Sequence, residues 1–383
     1  MRYCERCILP STRPGLEIGA DGICSACTAH SERRTEIDWP ARGREFSQLV
    51  REVRELGRPY DCVIPVSGGK DSTWQTVTCL EHNLHPLAVT WKTPARTELG
   101  ARNLDNLVGF GVDHIDFQIN PKVERLFVLE ALARFGTTAL PMHLALFNIP
   151  LSIATRFAVP LVVWGENSAA EYAGSGPESE SSRLDAAWMR KYGVAHGTTA
   201  QDWVSDQLSE QDLTPYFGPS DQELEDAGTE AVFLGHFFRW DPELTAQVAR
   251  EHGFESRAEG PLTGYYSHAD VDDAFLVSIH HWLKWLKFGF TRTYDNLSLE
   301  IRNGRMKRDE AISILRERGD ETPHADIDRL CDYLGITRER FFEIAESFRS
   351  PEVWTNRDGV WQIEGFLIPD WPWDKDGEKA QST

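Results

Sequence analysis

The segment Cys62-Val63-Ile64-Pro65-Val66-Ser67-Gly68-Gly69-Lys70-Asp71-Ser72 constrains the fold of this chain more than any other. A short apolar run that ends in Ser-Gly-Gly reads as a buried strand entering a tight turn. Glycines at 68 and 69 let the backbone bend sharply and approach a ligand closely. The stretch from Thr73 to His82 can run as a helix. Asp71 and Ser72 suit its first turn, where side-chain oxygens satisfy free N–H groups. Strand, glycine turn and helix N-terminus in succession make an anion site, because free N–H groups and the positive end of the helix dipole meet there. Lys70 adds a mobile positive charge. The loop is too short for the G-x-x-x-x-G-K-S/T phosphate cradle.

Strand and helix signals alternate on both sides of this loop. Helices are expected over 44–56, 99–110, 123–135 and 144–157, the last interrupted at Pro150. Strands are expected over 87–91, 115–117, 161–164 and 231–234. This pattern predicts an α/β fold with a doubly wound parallel sheet, whose ligands sit beyond the carboxyl ends of the strands. Thr90-Trp91-Lys92 and Gly165-Glu166-Asn167 end two of those strands. A carboxylate at 166 can hold Mg²⁺ or a substrate amine or hydroxyl, with helix capping as the alternative. For Trp91 the alternative is plain packing.

Cys4-x-x-Cys7 and Cys24-x-x-Cys27 are separated by sixteen residues. Two such knuckles place four thiolates around one tetrahedral ion, most simply a structural Zn²⁺. A reducing cytosol argues against the disulfide alternative, and a closed four-cysteine set against a catalytic iron–sulfur site. A ribbon of this size depends on metal rather than apolar burial. Three regions are expected: the ribbon over 1–40, the sheet domain over 41–260 with an acidic insertion at about 174–230, and a mostly helical region over 261–383. In the insertion, Tyr192-Gly193 and Trp203 imply packing on a neighbour.

At 383 residues, 41% hydrophobic and 26% charged, the composition is that of a soluble globular protein. No run reaches the length of a membrane span and no apolar signal region opens the chain, so the cytoplasm is the expected location. The Asn296-Leu297-Ser298 sequon then carries no meaning. A net charge of −20 argues against a broad nucleic-acid surface. Against that acidity, Lys284, Lys287 and Arg292 end an apolar helical surface expected over 270–288, and Arg302, Arg305, Lys307 and Arg308 follow. Such cations suit a phosphorylated or carboxylated ligand; the alternative is a helix surface salt-bridged to Glu300, Asp309, Glu310 and Glu317. Further helices are expected over 308–318, 325–334 and 338–348, and Trp354, Trp361, Trp371 and Trp373 are expected to pack on the body or a partner.

Ser67-Gly68-Gly69-Lys70-Asp71-Ser72 resembles the PP-loop of the ATP pyrophosphatases. The resemblance implies that these six residues hold the β,γ-pyrophosphate of ATP, that Thr90, Trp91 and Lys92 lie near the nucleoside, and that Gly165 and Asn167 complete the cofactor site. Arg2-Tyr3-Cys4-Glu5-Arg6-Cys7, Trp164-Gly165-Glu166-Asn167, Gly235-His236-Phe237-Phe238-Arg239-Trp240-Asp241, the block over 279–289 and Ile301-Arg302-Asn303-Gly304-Arg305 extend it. Together they resemble the N-acetyl sugar amidotransferases of bacterial surface-polysaccharide and nonulosonic acid biosynthesis, over most of the chain. The resemblance implies an ATP- and Mg²⁺-dependent enzyme that adenylylates the acetamido carbonyl of an N-acetylated nucleotide sugar and replaces the oxygen with ammonia. Lys70, Asp71 and Glu166 would be catalytic, and Lys284, Lys287, Arg292 and Arg302 would clamp a sugar-nucleotide diphosphate or a carboxylate. Cys62, Cys79 and Cys331 lack the flanking glycines of a nucleophile elbow and Cys4 belongs to the ribbon, so ammonia is expected from a separate glutaminase. A PP-loop sulfurtransferase acting on tRNA and a non-catalytic nucleotide-binding scaffold are the alternatives.

Overall fold

The computed structural model describes residues 1–172, 181–185, 188–189, 191 and 197–373. Strands β1 (Cys62–Pro65), β2 (Pro86–Trp91), β3 (Asp113–Phe117), β4 (Leu161–Trp164) and β5 (Glu230–Phe233) pair in parallel in the order β3-β2-β1-β4-β5. Successive strand residues feed opposite faces, as the two-residue period of a pleated strand requires. Val63, Leu87, Val89, Val162 and Phe233 enter one core, and Cys62, Ile64, Ala88, Leu161 and Val163 the other. Helices α5 (Pro121–Phe135) and α6 (Ala139–Arg156) cover the first face with Phe127, Leu132, Leu140 and Ile149. Helices α2 (Trp39–Glu55), α3 (Lys70–Glu81) and α4 (Glu98–Val108) cover the second with Phe46, Val50, Trp74 and Leu104. The fold is therefore a doubly wound α/β sheet. Its order turns back at β1, so the loop after β1 lies at the switch point where such sheets bind ligands.

Helices α7 (Ser168–Tyr172), α8 (Asp221–Ala227), α9 (Leu234–Phe237) and α10 (Pro242–Glu251) follow β4 along the chain. Among the described residues five helices follow: α11 (Leu276–Phe288), α12 (Arg292–Arg302), α13 (Arg308–Arg318), α14 (His324–Leu334) and α15 (Arg338–Ser347). A hairpin of β6 (Trp354–Arg357) and β7 (Val360–Ile363) comes last. The amino-terminal ribbon, with α1 (Ser25–Glu36), shares a core with these helices: Cys4, Ile8, Leu9 and Cys27 pack with Tyr294 and Leu297 of α12 and Ala311 and Leu315 of α13.

Three sequence expectations are corrected. The helix expected over 270–288 begins only at Leu276, because the Asp273 carboxylate takes the N–H groups of Phe275 and Val277, both at 3.0 Å, and holds a turn there. Pro150 does not interrupt α6; buried Ile149, Pro150 and Leu151 pack on the sheet and carry the helix across the missing N–H. Ser72 does not satisfy a free N–H; its hydroxyl donates to the Gly69 carbonyl at 3.0 Å. Of the insertion, Gly174-Ser175-Gly176-Pro177-Glu178 and Tyr192-Gly193 lie outside the described residues. Trp203 packs on Phe127 of α5 with ring centroids 4.9 Å apart. Trp354, Trp371 and Trp373 gather with Phe366 around Trp285 of α11, so they pack on the body. No described helix is long and apolar enough to cross a membrane.

Candidate functional site

The turn after β1 has a shape that glycine alone fits. Gly68 holds φ at +83°, and a Cβ there would lie 2.6 Å from the Leu104 backbone nitrogen, so α4 runs directly against the turn. Gly69 is the N-cap of α3 and offers no side chain, which leaves the helix N-terminus without a cap. Lys70 is 7% exposed. Its Nζ lies 2.5 Å from Asp71 Oδ2 and 5.4 Å from the ring centroid of Trp240. Trp240 Nε1 in turn donates to Asp71 Oδ1 at 2.9 Å. Burial alone would raise the Asp71 pKa; the Lys70 charge and the hydrogen bonds from Lys70, Trp240 and Thr245 outweigh it and hold the carboxyl below its ordinary range.

Glu166 stands at the end of β4, half-buried. Burial, then the Asp71 charge, pushes its pKa up to about 7, with Lys70 opposing. The strand end is pinned by Gly235, whose N–H donates to the Gly165 carbonyl at 2.9 Å, and by Gln75, whose Nε2 donates to the Val163 carbonyl at 3.0 Å. Asn167 Oδ1 accepts from the N–H of Ala169 at 3.1 Å and from Trp188 Nε1 at 3.1 Å, so that side chain fixes the start of α7. At the end of β2, Thr90 Oγ1 meets His114 Nε2 at 2.8 Å and Trp91 Nε1 donates to the buried Glu124 at 2.9 Å. Both side chains are held inside the protein, so this strand end offers a ligand its backbone.

A second wall comes from the segment before α11, which carried no motif in the sequence. Thr97 N–H donates to the Asp272 carbonyl at 3.2 Å, Ala274 N–H to the Ala95 carbonyl at 2.8 Å, and Thr93 Oγ1 to Asp273 Oδ2 at 3.0 Å. A Cβ on Gly100 would lie 2.4 Å from Asp272 Cα, so the segment is pressed onto the N-terminus of α4. Asp272 faces the Ser67 hydroxyl; burial and then the Asp270 charge push its pKa up to about 6, and the Ser67 hydrogen bond opposes them. His268, 4% exposed, stacks on Tyr266 at 4.9 Å. Asp272, His268 and Asp273 are site residues that sequence reasoning missed. Trp240 was met only as part of an aromatic block, with no sign that it would reach Asp71.

The four cations expected to clamp a substrate are dispersed along α11 and α12. Arg292 Nη1 pairs with Asp270 at 3.1 Å and contacts His281 Nε2. Lys284 lies 3.9 Å from Asp295, which also pairs with Arg13 of the ribbon at 2.7 Å; burial pushes Lys284 down to about 8. Lys287 donates to the Phe135 carbonyl at 3.3 Å, at the end of α5, and burial pushes it down to about 8. Arg302, 2% exposed, donates to the Glu171 carbonyl of α7 at 3.1 Å. Between them Arg305 binds Asp241 at 2.7 Å and Glu300 at 2.7 Å, joining the sheet domain to α12.

At the ribbon, Cys4, Cys7, Cys24 and Cys27 are buried with ligand atoms all within 4.8 Å of one another. Cys7 and Cys24 Sγ lie 3.6 Å apart, close to the ~3.8 Å separation of two thiolates on a tetrahedral Zn²⁺. The N–H groups of Cys7 and Cys24 donate to Cys4 Sγ at 3.4 and 3.3 Å, which favours a thiolate. The four-cysteine set thus fits a metal ion.

Residues 259–366, from the segment before α11 to the end of the hairpin, match the family described as LPS biosynthesis protein WbpG-like, C-terminal domain. No curated protein matches the chain. Among solved structures the chain is similar to the NMN synthetase from Francisella tularensis at 10% identity, over 57% of this chain and 96% of that one, with a TM-score of 0.27, too slight a likeness to bear on either fold or chemistry.

Proposed function

We propose that this chain is the synthetase subunit of an ATP-dependent, AMP-forming amidotransferase of lipopolysaccharide or O-antigen biosynthesis, acting in the cytoplasm. The observation that carries the reading is one juxtaposition: a Ser-Gly-Gly-Lys-Asp-Ser turn at the sheet's switch point, faced by a segment that belongs to the WbpG-like match. In this reading the acetamido oxygen of an N-acetylated nucleotide sugar attacks the α-phosphorus of ATP and pyrophosphate leaves. The adenylylated oxygen becomes a good leaving group on a carbon that was a poor electrophile. Ammonia from a separate glutaminase adds there, the proton released on addition passes to solvent, and AMP departs to leave an acetamidino group.

Lys70 and the free N–H groups of α3 stabilise the departing pyrophosphate. Asp71 and Glu166, two carboxylates in each other's field, would hold Mg²⁺, which supplies charge neutralisation to the polyphosphate when bound. In this reading Lys284, Lys287, Arg292 and Arg302 are the cations that orient the acceptor. Zn²⁺ on the four cysteines is structural, since all four ligand positions are protein.

The test is turnover of ATP by the purified chain with ammonium chloride and a panel of UDP-N-acetyl sugars. AMP and pyrophosphate should appear in step with an acceptor whose mass changes by replacement of O with NH. Release of ADP, glutamine-dependent turnover by the chain alone, or thiolated tRNA in place of an amidinated sugar would each overturn the reading.

A further inference from the structure

His268 has a polar atom with nothing to bind. The residue is 4% exposed, its ring lies nearly parallel to Tyr266 at 15°, and its Nε2 is buried with no hydrogen-bond partner. A buried ring nitrogen in that condition loses the hydrogen bond it had in water, so native proteins leave one unpaired chiefly where something else is meant to fill the gap. The groups acting on this imidazole identify the filler. Burial, then the charge on Lys70, pushes it down to about 3, with Asp71, Arg250 and Arg292 also in range. Burial thus keeps the ring neutral in a field where three cations outnumber one carboxylate. Arg292 Nε, whose charge reaches the imidazole, is likewise buried without a partner. Two unpartnered nitrogens beside the lysine of the turn require an acceptor that is anionic and reaches both domains.

We infer that His268 is the helical region's own ligand to the outer phosphates of ATP, donating from Nε2 to a phosphate oxygen held from the other side by Lys70. A neutral donor adds a hydrogen bond there without the repulsion that another cation beside Lys70 and Arg292 would bring. The Tyr266 stack and the hydrogen bond from Tyr266 to Glu300 at 2.5 Å fix the ring that must make it. This inference rests on the ATP reading above, and it implies that nucleotide binding draws the helical region against the sheet.

The experiment titrates the full chain with the unreactive analogue α,β-methylene-ATP and Mg²⁺ in a calorimeter, with no sugar and no ammonium. His268→Phe keeps a ring on Tyr266 and removes the nitrogen; affinity should weaken by roughly ten- to a hundredfold. His268→Gln returns an N–H near the Nε2 position and should regain part of that loss. Unchanged affinity in both variants overturns the inference while leaving the ATP reading intact. In a second titration, with a UDP-N-acetyl sugar in place of the analogue, weaker sugar affinity in the variants while the analogue binds as in the wild type overturns it in favour of an acceptor contact. Failure of the wild type to bind the analogue overturns both readings together.

Discussion

At the turn after β1, charge is settled between neighbours. Lys70 lies 2.5 Å from Asp71, the next residue, and the turn's shape depends on Gly68. Across the site the helical wall settles its charges at long range. Arg305 ties α12 to Asp241 of the sheet domain, and Arg13 reaches Asp295 from the far end of the chain. The local side keeps its geometry as long as β1 and α3 stand. The distant side keeps its geometry only while the ribbon, the sheet domain and the helices remain docked. The two sides should therefore fail separately.

The largest separation should come from metal removal. The ribbon's cysteines and apolar residues share a core with α12 and α13, so loss of the ion takes a structural support from the helical wall. Structural Zn²⁺ sites contribute on the order of 10 kcal/mol. We expect one Zn²⁺ per chain by elemental analysis, and chelation should strip amide protection over 288–318 while 62–81 stay protected. Equal loss in both segments would break the comparison.

Arg305→Ala is next. It takes from Asp241, 1% exposed, and Glu300, 5% exposed, the cation at 2.7 Å, leaving Asp241 only the more distant Arg239 at 3.9 Å, at a cost of about 3–5 kcal/mol in a urea titration. The sign of its pH dependence follows from Asp241. Burial alone would raise that carboxyl, but the Arg305 hydrogen bond and charge hold it below the ordinary range. Its contribution is present above the unfolded value and is lost as pH falls through the folded one. The variant should thus lose most against wild type near neutrality and converge with it in acid.

Legibility in the sequence divides along the same line. The turn, β1 and α3 lie within about twenty consecutive residues, so their partners are adjacent and their pattern is complete in one window. The four cysteines are likewise two short knuckles. The end of β4 was found because Leu161–Trp164 is an apolar run that a buried parallel strand demands. By contrast α12 buries Asp295, Asn296, Ser298, Glu300 and Arg302, a polar face that hydrophobic periodicity reads as solvent-exposed. The turn before α11 was absorbed into an expected helix because Ala274 and Val277 fit its spacing, whereas Asp273, a residue that competes for backbone N–H groups, decides the matter. His268 and Asp272 reach the site only through that turn.

On the local side, Glu166 supplies a smaller effect with the opposite sign. Its folded pKa, raised to about 7 by burial and by Asp71, exceeds the unfolded value of about 4.3. Between those values the folded state holds the extra proton, so stability should fall as pH rises through the window. Glu166→Gln should flatten that slope, by on the order of 1 kcal/mol for a half-buried group. A Mg²⁺ titration of the same pair separates structure from chemistry: wild-type affinity should rise with pH through about 7, while the Gln variant binds weakly throughout.

The smallest effect tests whether distance in the chain or burial makes the helical wall vulnerable. Arg102 of α4 pairs with Glu255 at 3.2 Å across 153 positions, a long-range link between elements much like Arg305 with Asp241. Its side chains are 58% and 60% exposed, however, against 32% and 1% for the Arg305–Asp241 pair. Water and salt screen an exposed pair, and its two long side chains lose rotamer freedom on meeting, so Arg102→Ala should cost at most about 0.5 kcal/mol. The neighbouring Asn103 bonds to Glu255, buried and at 2.9 Å in both directions, keep α4 docked without it. A urea midpoint close to wild type would assign the fragility of Arg305 to its buried carboxylates. A loss comparable to Arg305→Ala would instead assign it to the long separation along the chain, and the two walls would then differ in connectivity rather than burial.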